Sequence, residues 1–408
     1  MDRKRVRQAR GLDNDRRILD ASVTTVTDRG VDGFGLRDVA AAAGLTYGAL
    51  YARYANTGEL LADTWAQRLL PELERLSAAA IAAAGAAGSP GAGHLLGVLV
   101  GPTPLRQALV EVLVVTPRVG ELADVVPSAV QALLERMGLL PASGVEAGSS
   151  AATRAVAAPA TLGALVLALG SVAHANLDPS LEEHAGRVSR WMAEAQRRSW
   201  TGPAPVPVVP GPVVLALRDD DRRGRLMDAA VRVVAHSGVA GASLRRIYRA
   251  SGYTQAAVYT EYGNLRGLIA DLVDRATAGV TAVDPTPGRY TRPELLAARL
   301  AGLASPEGQL RRRLALELFL LASHEPDIGL RTAAADAAAD AAVAAHLLPA
   351  NPDAAAVQAV FRRVGRHVMF GSAVLSGVVP GLAGLDWRPF IGGMLGAVLA
   401  EQGIPEGR

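Results

Sequence analysis

Apolar positions along this chain recur every three or four residues, the period of one helix face. Ile18, Ala21, Ser22 and Thr25 form such a face ahead of Gly30, and Val231, Val234 and Ala235 form one ahead of Gly238. A glycine placed there takes the left-handed angles that close a helix. A short helix then starts near Leu36 and again near Leu244, with Ser243 a good N-cap and Gly35 a weaker one. Next come the turns Ala43-Gly44-Leu45-Thr46 and Ser251-Gly252-Tyr253-Thr254, where glycine supplies the special backbone angle and threonine caps the next helix. Those capped helices are predicted over residues 47–54 and 255–262. Two short helices joined through glycine describe a helix-turn-helix, whose second helix can lie in the major groove of DNA.

The two motifs are copies of one another. Arg17-Ile18-Leu19-Asp20-Ala21 returns as Arg225-Leu226-Met227-Asp228-Ala229, and Leu36-Arg37, Gly44, Tyr51 and Tyr54 return as Leu244-Arg245, Gly252, Tyr259 and Tyr262. All share one offset (259 − 51 = 208), and 18 of the 45 positions from Arg17 to Leu61 are identical. Similarity continues to Pro117-Arg118-Val119-Gly120 against Pro326-Asp327-Ile328-Gly329, and to Leu177-Asp178 against Leu385-Asp386. A solenoid repeats every 20–50 residues or so, so a period near 200 reads as duplication of a whole domain. The join is rich in proline over residues 201–212, which disfavours helix and favours an extended, semi-rigid spacer. The expected organisation is a first helix-turn-helix domain over 1–60, a helical regulatory domain over 61–200 and a linker over 201–217. A second helix-turn-helix domain over 218–268 and a second regulatory domain over 269–408 complete it.

Composition narrows the chemistry. The chain has 408 residues and no cysteine, which excludes disulfides and thiolate sites and suits a reducing cytoplasm. Net charge is only +3, yet basic residues crowd the start: Arg3, Lys4, Arg5, Arg7, Arg10, Arg16 and Arg17. Such a segment is either a solvated tail or a basic arm that seeks DNA. Residues 155–177 carry no formal charge, but their alanine, glycine and scattered polar groups fit a buried bundle helix better than a membrane span. No phosphate-loop pattern, metal-ligand spacing or nucleophile elbow is present in the sequence, so no enzyme, metal or cofactor is expected.

With the motifs in place, each copy resembles the TetR family of regulators. That family joins a glycine-ended first helix to a short helix and then to "aG-x-T/S-x-x-x-x-Y-x-x-F/Y", with leucine soon after. Gly44, Thr46, Tyr51, Tyr54 and Leu60 fill the pattern once, and Gly252, Thr254, Tyr259, Tyr262 and Leu268 fill it again. The resemblance implies an all-α fold of two tandem units, each a three-helix DNA-binding domain plus a helical bundle. It also implies roles. Thr46 and Thr254 would cap the recognition helices and touch phosphate, and Tyr51 and Tyr259 would reach the backbone through their hydroxyls. Tyr47, Gly48, Gln255 and Ala256 would face base edges. Arg37 and Arg245 would meet phosphates, joined by Arg5 and Arg7 from the basic arm, while Tyr54 and Tyr262 would be core. The family's usual lysine beyond the final aromatic is missing: Asn56-Thr57-Gly58 stands in the first copy, and Asn264-Leu265-Arg266 offers Arg266 in the second. Glu261 and Asp219-Asp220-Asp221 are acidic neighbours of the second reader.

The expected function is a cytoplasmic, nucleoid-associated repressor of the ligand-responsive kind, reading an asymmetric or pseudo-palindromic double-stranded operator. The family's last two long helices form its dimer bundle, here residues 155–177 with 188–200 and 368–385 with 391–399. Fusion then predicts an intramolecular pseudo-dimer, with a homodimer of two chains as the other arrangement. Polar residues on apolar helices (Glu111, His174, Asn176, Glu317, His324 and His367) are candidate contacts for an unknown small-molecule effector. The competing expectation is a helical scaffold or ligand-binding protein with one vestigial helix-turn-helix.

Overall fold

The computed structural model describes residues 3–140, 154–155, 159–174, 179–197, 222–281, 293–305, 308–347 and 352–403. These are helical almost throughout; the exception is a two-residue parallel pairing of Arg154 with Leu385 and Ala155 with Asp386. The expected linker and Asn176 lie outside the described residues. In the first half the helices are α1 (Arg3–Arg29), α2 (Leu36–Ala42), α3 (Tyr47–Tyr51), α4 (Thr57–Thr64), α5 (Leu70–Gly85), α6 (Ala92–Val100), α7 (Pro104–Val115), α8 (Gly120–Arg136), α9 (Pro159–His174) and α10 (Ala185–Arg197). In the second half come α11 (Arg222–Ser237), α12 (Leu244–Ser251), α13 (Gln255–Tyr262), α14 (Leu265–Thr281), α15 (Pro293–Ala304), α16 (Gln309–His324), α17 (Pro326–Leu347), α18 (Pro352–Val378) and α19 (Arg388–Glu401).

The first helix begins earlier than a separate basic arm would allow. Arg3 to Arg10 continue α1 without a break, so Arg5 and Arg7 stand on its first turns. Arginine, lysine, glutamine and alanine all favour helix, and no proline interrupts them. The ends of α1 and α11 agree with expectation: Gly30 and Gly238 both adopt positive φ, 74° and 73°.

Packing follows the apolar faces. In the first half α1 rests on α2, α4 and α7, and α4 rests on α8; in the second, α11 rests on α12, α14 and α16, and α14 on α17. The second three-helix domain has its own core around Leu226, Val234, Ile247, Val258 and Leu268. A larger core runs from Ile18 through bundle helices of both halves, α15, α16, α18 and α19 among them, to Leu399. Its centre is the long α9–α18 pairing, flanked by α10 against α19. From Ala160 to Ala173 every residue of α9 is buried, which explains the lack of charge there. Each fully buried leucine or valine contributes about 1.5–3 kcal/mol. No single described helix is long and apolar enough to cross a membrane; α6 and α7 are so only jointly, and they bend by 62° at their break.

Glycine sets how closely the bundle helices approach. Passing from Val166 to Gly170 on α9, the facing backbone runs back from Gly371 to His367 on α18, so the pair is antiparallel. A Cβ at Gly170 would strike the His367 carbonyl, and one at Gly371 the Val166 carbonyl. The α10–α19 contact is also tight, since a Cβ at Gly393 would collide with the Ala195 backbone. Trp191 Nε1 donates to Glu401 Oε2 at 3.0 Å, and Arg187 pairs with the same carboxylate.

Candidate nucleic-acid interface

Each helix-turn-helix is built on a turn that two local devices hold. Gly44 and Gly252 adopt φ of 64° and 75°, angles that a residue with a Cβ takes only under strain. Thr46 Oγ1 then accepts from Ala49 N at 3.2 Å, and Thr254 Oγ1 accepts from Ala257 N at 3.3 Å. Both threonines therefore cap, as the motif implied. Ser243 caps α12 by accepting from Arg246 N, while Gly35 offers α2 no side-chain cap.

The recognition helices differ in length. The first, expected over residues 47–54, ends at Tyr51, whereas α13 runs from Gln255 to Tyr262. Position two is glycine (Gly48) in the first and alanine (Ala256) in the second, and an interior glycine disfavours helix by about 1 kcal/mol. A Cβ at Gly48 would meet nothing within 4 Å, so this surface is open to a ligand as flat as a base edge.

On each half, the turn and recognition-helix residues expected to meet DNA are exposed. Tyr47, Tyr51 and Tyr259 are 43%, 56% and 47% exposed, unusual for aromatics that could pack inside. Tyr47 and Tyr51 stack with ring centroids 5.8 Å apart, and the Arg37 guanidinium lies 5.3 Å above the Tyr47 ring. Arg37 is thus placed by a cation–π contact beside the first recognition helix. Arg245, Gln255, Ala256 and Arg266 are exposed on the second head. Glu261 is partly offset there, because Arg222 pairs with it at 3.6 Å.

Tyr54 and Tyr262 fall inward, as the family pattern implied. Each phenol donates to an aspartate nine residues on, Tyr54 to Asp63 and Tyr262 to Asp271. Burial, then the aspartate, raises both phenols, Tyr262 to about 12. These bonds tie each recognition helix to the helix behind it. The contacts of two repeat residues escaped the sequence reading. Arg17 donates to Ala43 O at 2.5 Å under the first turn, while its repeat partner Arg225 reaches Tyr253 Oη at 2.5 Å under the second. Their recurrence at one offset, like that of Asp63 and Asp271, was the available signal.

The five described effector candidates do not gather around one cavity. His174 and His367 stack at 4.9 Å in the bundle core with Phe319 and Phe370. His367 is fully buried, neither ring nitrogen meets a hydrogen-bond partner among the described residues, and burial holds its imidazole well below the ordinary range. Glu111, Glu317 and His324 instead form a junction beneath the reading heads. Glu111 accepts from Val31 N, just past the end of α1, and from His324 of the other half at 2.9 Å. Glu317 likewise accepts from Val239 N, just past α11, and from Arg118 of the other half at 3.0 Å. Glu111 and Arg118 are seven residues apart, as are Glu317 and His324, so the two halves exchange cations across their boundary. Gly30 and Gly238 are needed here twice over: a Cβ on either would press on these groups at about 3 Å.

Hydrogen bonding to Glu111 raises the His324 imidazole against the opposing effect of burial, with Asp32 and Glu325 adding to the rise. A pKa raised by folding stabilises the protein below the ordinary imidazole value of about 6.5, and that stabilisation disappears as pH climbs through the folded value. The melting-temperature advantage of the natural protein over His324→Gln should therefore be largest in mild acid and shrink on alkaline titration. A difference independent of pH would show that the ion pair contributes nothing.

Residues 18–64, which span the first reading head, match the profile described as "Bacterial regulatory proteins, tetR family". No curated protein matches the chain. The profile match supports a DNA-binding helix-turn-helix transcription regulator.

Proposed function

We propose that the chain is a ligand-responsive transcription regulator, acting by repression, that carries two unlike DNA readers in one polypeptide and holds them as an intramolecular pseudo-dimer. It is a cytoplasmic binding protein with no catalytic role. The observation that carries this reading is the pair of exposed recognition surfaces, Arg37-Tyr47-Tyr51 and Arg245-Gln255-Tyr259, mounted on bundles that share one core. The antiparallel α9–α18 pairing supports the pseudo-dimer, since it joins equivalent helices of the two halves as a dimer bundle would. Tethering gives the second head a high effective concentration once the first is bound. Because Tyr47-Gly48 and Gln255-Ala256 present different groups, the operator should have unlike half-sites.

Selection from random duplexes, then footprinting, tests this. Gln255→Ala should weaken binding by about 5- to 150-fold and relax one half-site, the range for loss of a bidentate adenine contact. Tyr47→Ala should alter the other half-site only. Sedimentation should give one chain per operator. Two chains on a perfect palindrome would replace the pseudo-dimer by a homodimer, and equal affinity for all sequences would leave a scaffold.

A further inference from the structure

An open cleft of about 850 Å³ lies between the second reading head and the first half of the chain. One wall is the end of α11 and the outer face of α12; the other is the turn around Arg118, with α16 closing the side. Four arginines and a histidine line it: Arg118, Arg246, Arg249, Arg313 and His236. Among the described residues, no carboxylate does. Arg118 is held by Asp32 and Glu317, and Arg246 donates to the Gly241 carbonyl. No described carboxylate comes within ion-pair distance of Arg249 or Arg313. A smaller recess continues inward to Arg312, which is 5% exposed; burial and then Arg313 push its guanidinium down to about 10.

So much like charge facing one concavity costs energy unless something neutralises it. The corresponding positions of the first half do not repeat the pattern. There Asp28, Asp38 and Ala41 replace His236, Arg246 and Arg249 at the common offset of 208. The basic cleft is therefore no requirement of the fold.

We propose that this cleft binds a small multiply charged anion, a polycarboxylate or an organic phosphate, through Arg246, Arg249, Arg313 and His236. Its volume is that of a small-molecule site, and guanidinium forks match both carboxylate and phosphate. The occupant would sit against Arg118, whose pairing with Glu317 fixes the start of the segment after α11. Occupancy thus acts on the support of the second head, and through the Arg118–Asp32 pair it also reaches the segment after α1 in the first. This effector role rests on the proposed regulator function; the binding site itself does not.

The test is calorimetric titration of the full chain with citrate and, separately, with pyrophosphate, at matched ionic strength with acetate as the monoanion control. Saturable binding of citrate or pyrophosphate but not acetate is expected, and which of the two binds more tightly separates the carboxylate from the phosphate source. Arg249→Gln with Arg313→Gln should weaken it at least about tenfold, as loss of charge-assisted hydrogen bonds does. Asp38→Asn, at the corresponding place in the first half, should change nothing. Absence of saturable binding to the natural protein, or equal binding by the double variant, would overturn the site. Operator affinity of the double variant, measured without added anion, separates the two readings. If it falls with a shallower salt slope while no small anion binds, the cleft tracks the DNA backbone and the proposal fails although the regulator reading stands.

Discussion

Gly371→Ala should destabilise the protein by about 3 kcal/mol or more, although alanine is the better helix former. The added methyl would overlap the Val166 carbonyl of α9, and a backbone oxygen cannot turn aside as a flexible side chain can. Overpacking a tight contact costs about 1–3 kcal/mol, and more when backbone must move. Relief requires α9 and α18 to separate, which opens the shared core along both helices. Gly365→Ala, six residues earlier on α18, is the matched control. A Cβ there meets nothing within 4 Å, so the same chemical change should stabilise by up to about 1 kcal/mol through helix propensity. Thermal unfolding of the two variants should therefore shift in opposite directions. A Gly371→Ala protein that melts at or above the natural temperature would show that the two helices do not meet this closely. If the pseudo-dimer reading holds, Gly371→Ala should also loosen the spacing of the heads and reduce operator affinity below the melting range.

Arg118→Met should be comparably damaging, for an electrostatic reason. Glu317 is 5% exposed, and burial already raises its carboxyl while Arg118 opposes that rise. Removing the arginine leaves a buried carboxylate unpaired, a loss of about 3–5 kcal/mol. The pH dependence has a definite sign. With the folded pKa raised further above the unfolded value, the folded variant holds a proton that the unfolded chain releases. Its deficit is therefore greatest at neutral and alkaline pH and shrinks on acidification towards the ordinary carboxylate range. Arg118→Met combined with Glu317→Leu should recover most of the stability, because the buried carboxylate goes with its partner and Asp32, the other partner, is exposed enough for water to serve it. Thermal melts across pH, compared for the single and double variants, check all three statements. A single variant as stable as the natural protein at neutral pH would remove the ion pair from any account of the junction.

Much of the reading head was legible in the chain itself. Its devices are local: a positive-φ glycine, a threonine three residues before the amide it caps, and a tyrosine that one turn of helix carries to the surface. Short-range geometry fixes such features wherever they occur, and their recurrence at Arg17–Leu61 and 225–269 made them stand out from composition. The length of the first recognition helix was less legible, because Gly48 weakens it only slightly and its end depends on how residues 52–56 pack. The basic start suggests an arm, yet nothing in Arg3–Arg10 breaks a helix that α1 is already building.

The effector candidates show the limit most clearly. Polarity on an apolar helix marks Glu111, Glu317, His324 and His367 as unusual, but does not say what each one meets. The partner of Glu111 is 213 residues away and that of Glu317 is 199 residues away, in the opposite half of the chain. No periodicity contains that exchange. It exists only once α7 and α16 are brought side by side, and the cleft lined by Arg249 and Arg313 arises from the same approach. The sequence by itself determined the two helix-turn-helix motifs, their differences and the helical class, because those depend on neighbours within a few residues. Tertiary structure alone decided which cations serve which carboxylates, how closely α9 and α18 approach, and where uncompensated charge collects. Each of these is a property of distance between segments remote along the chain, and electrostatic and packing energies depend on that distance rather than on order in sequence.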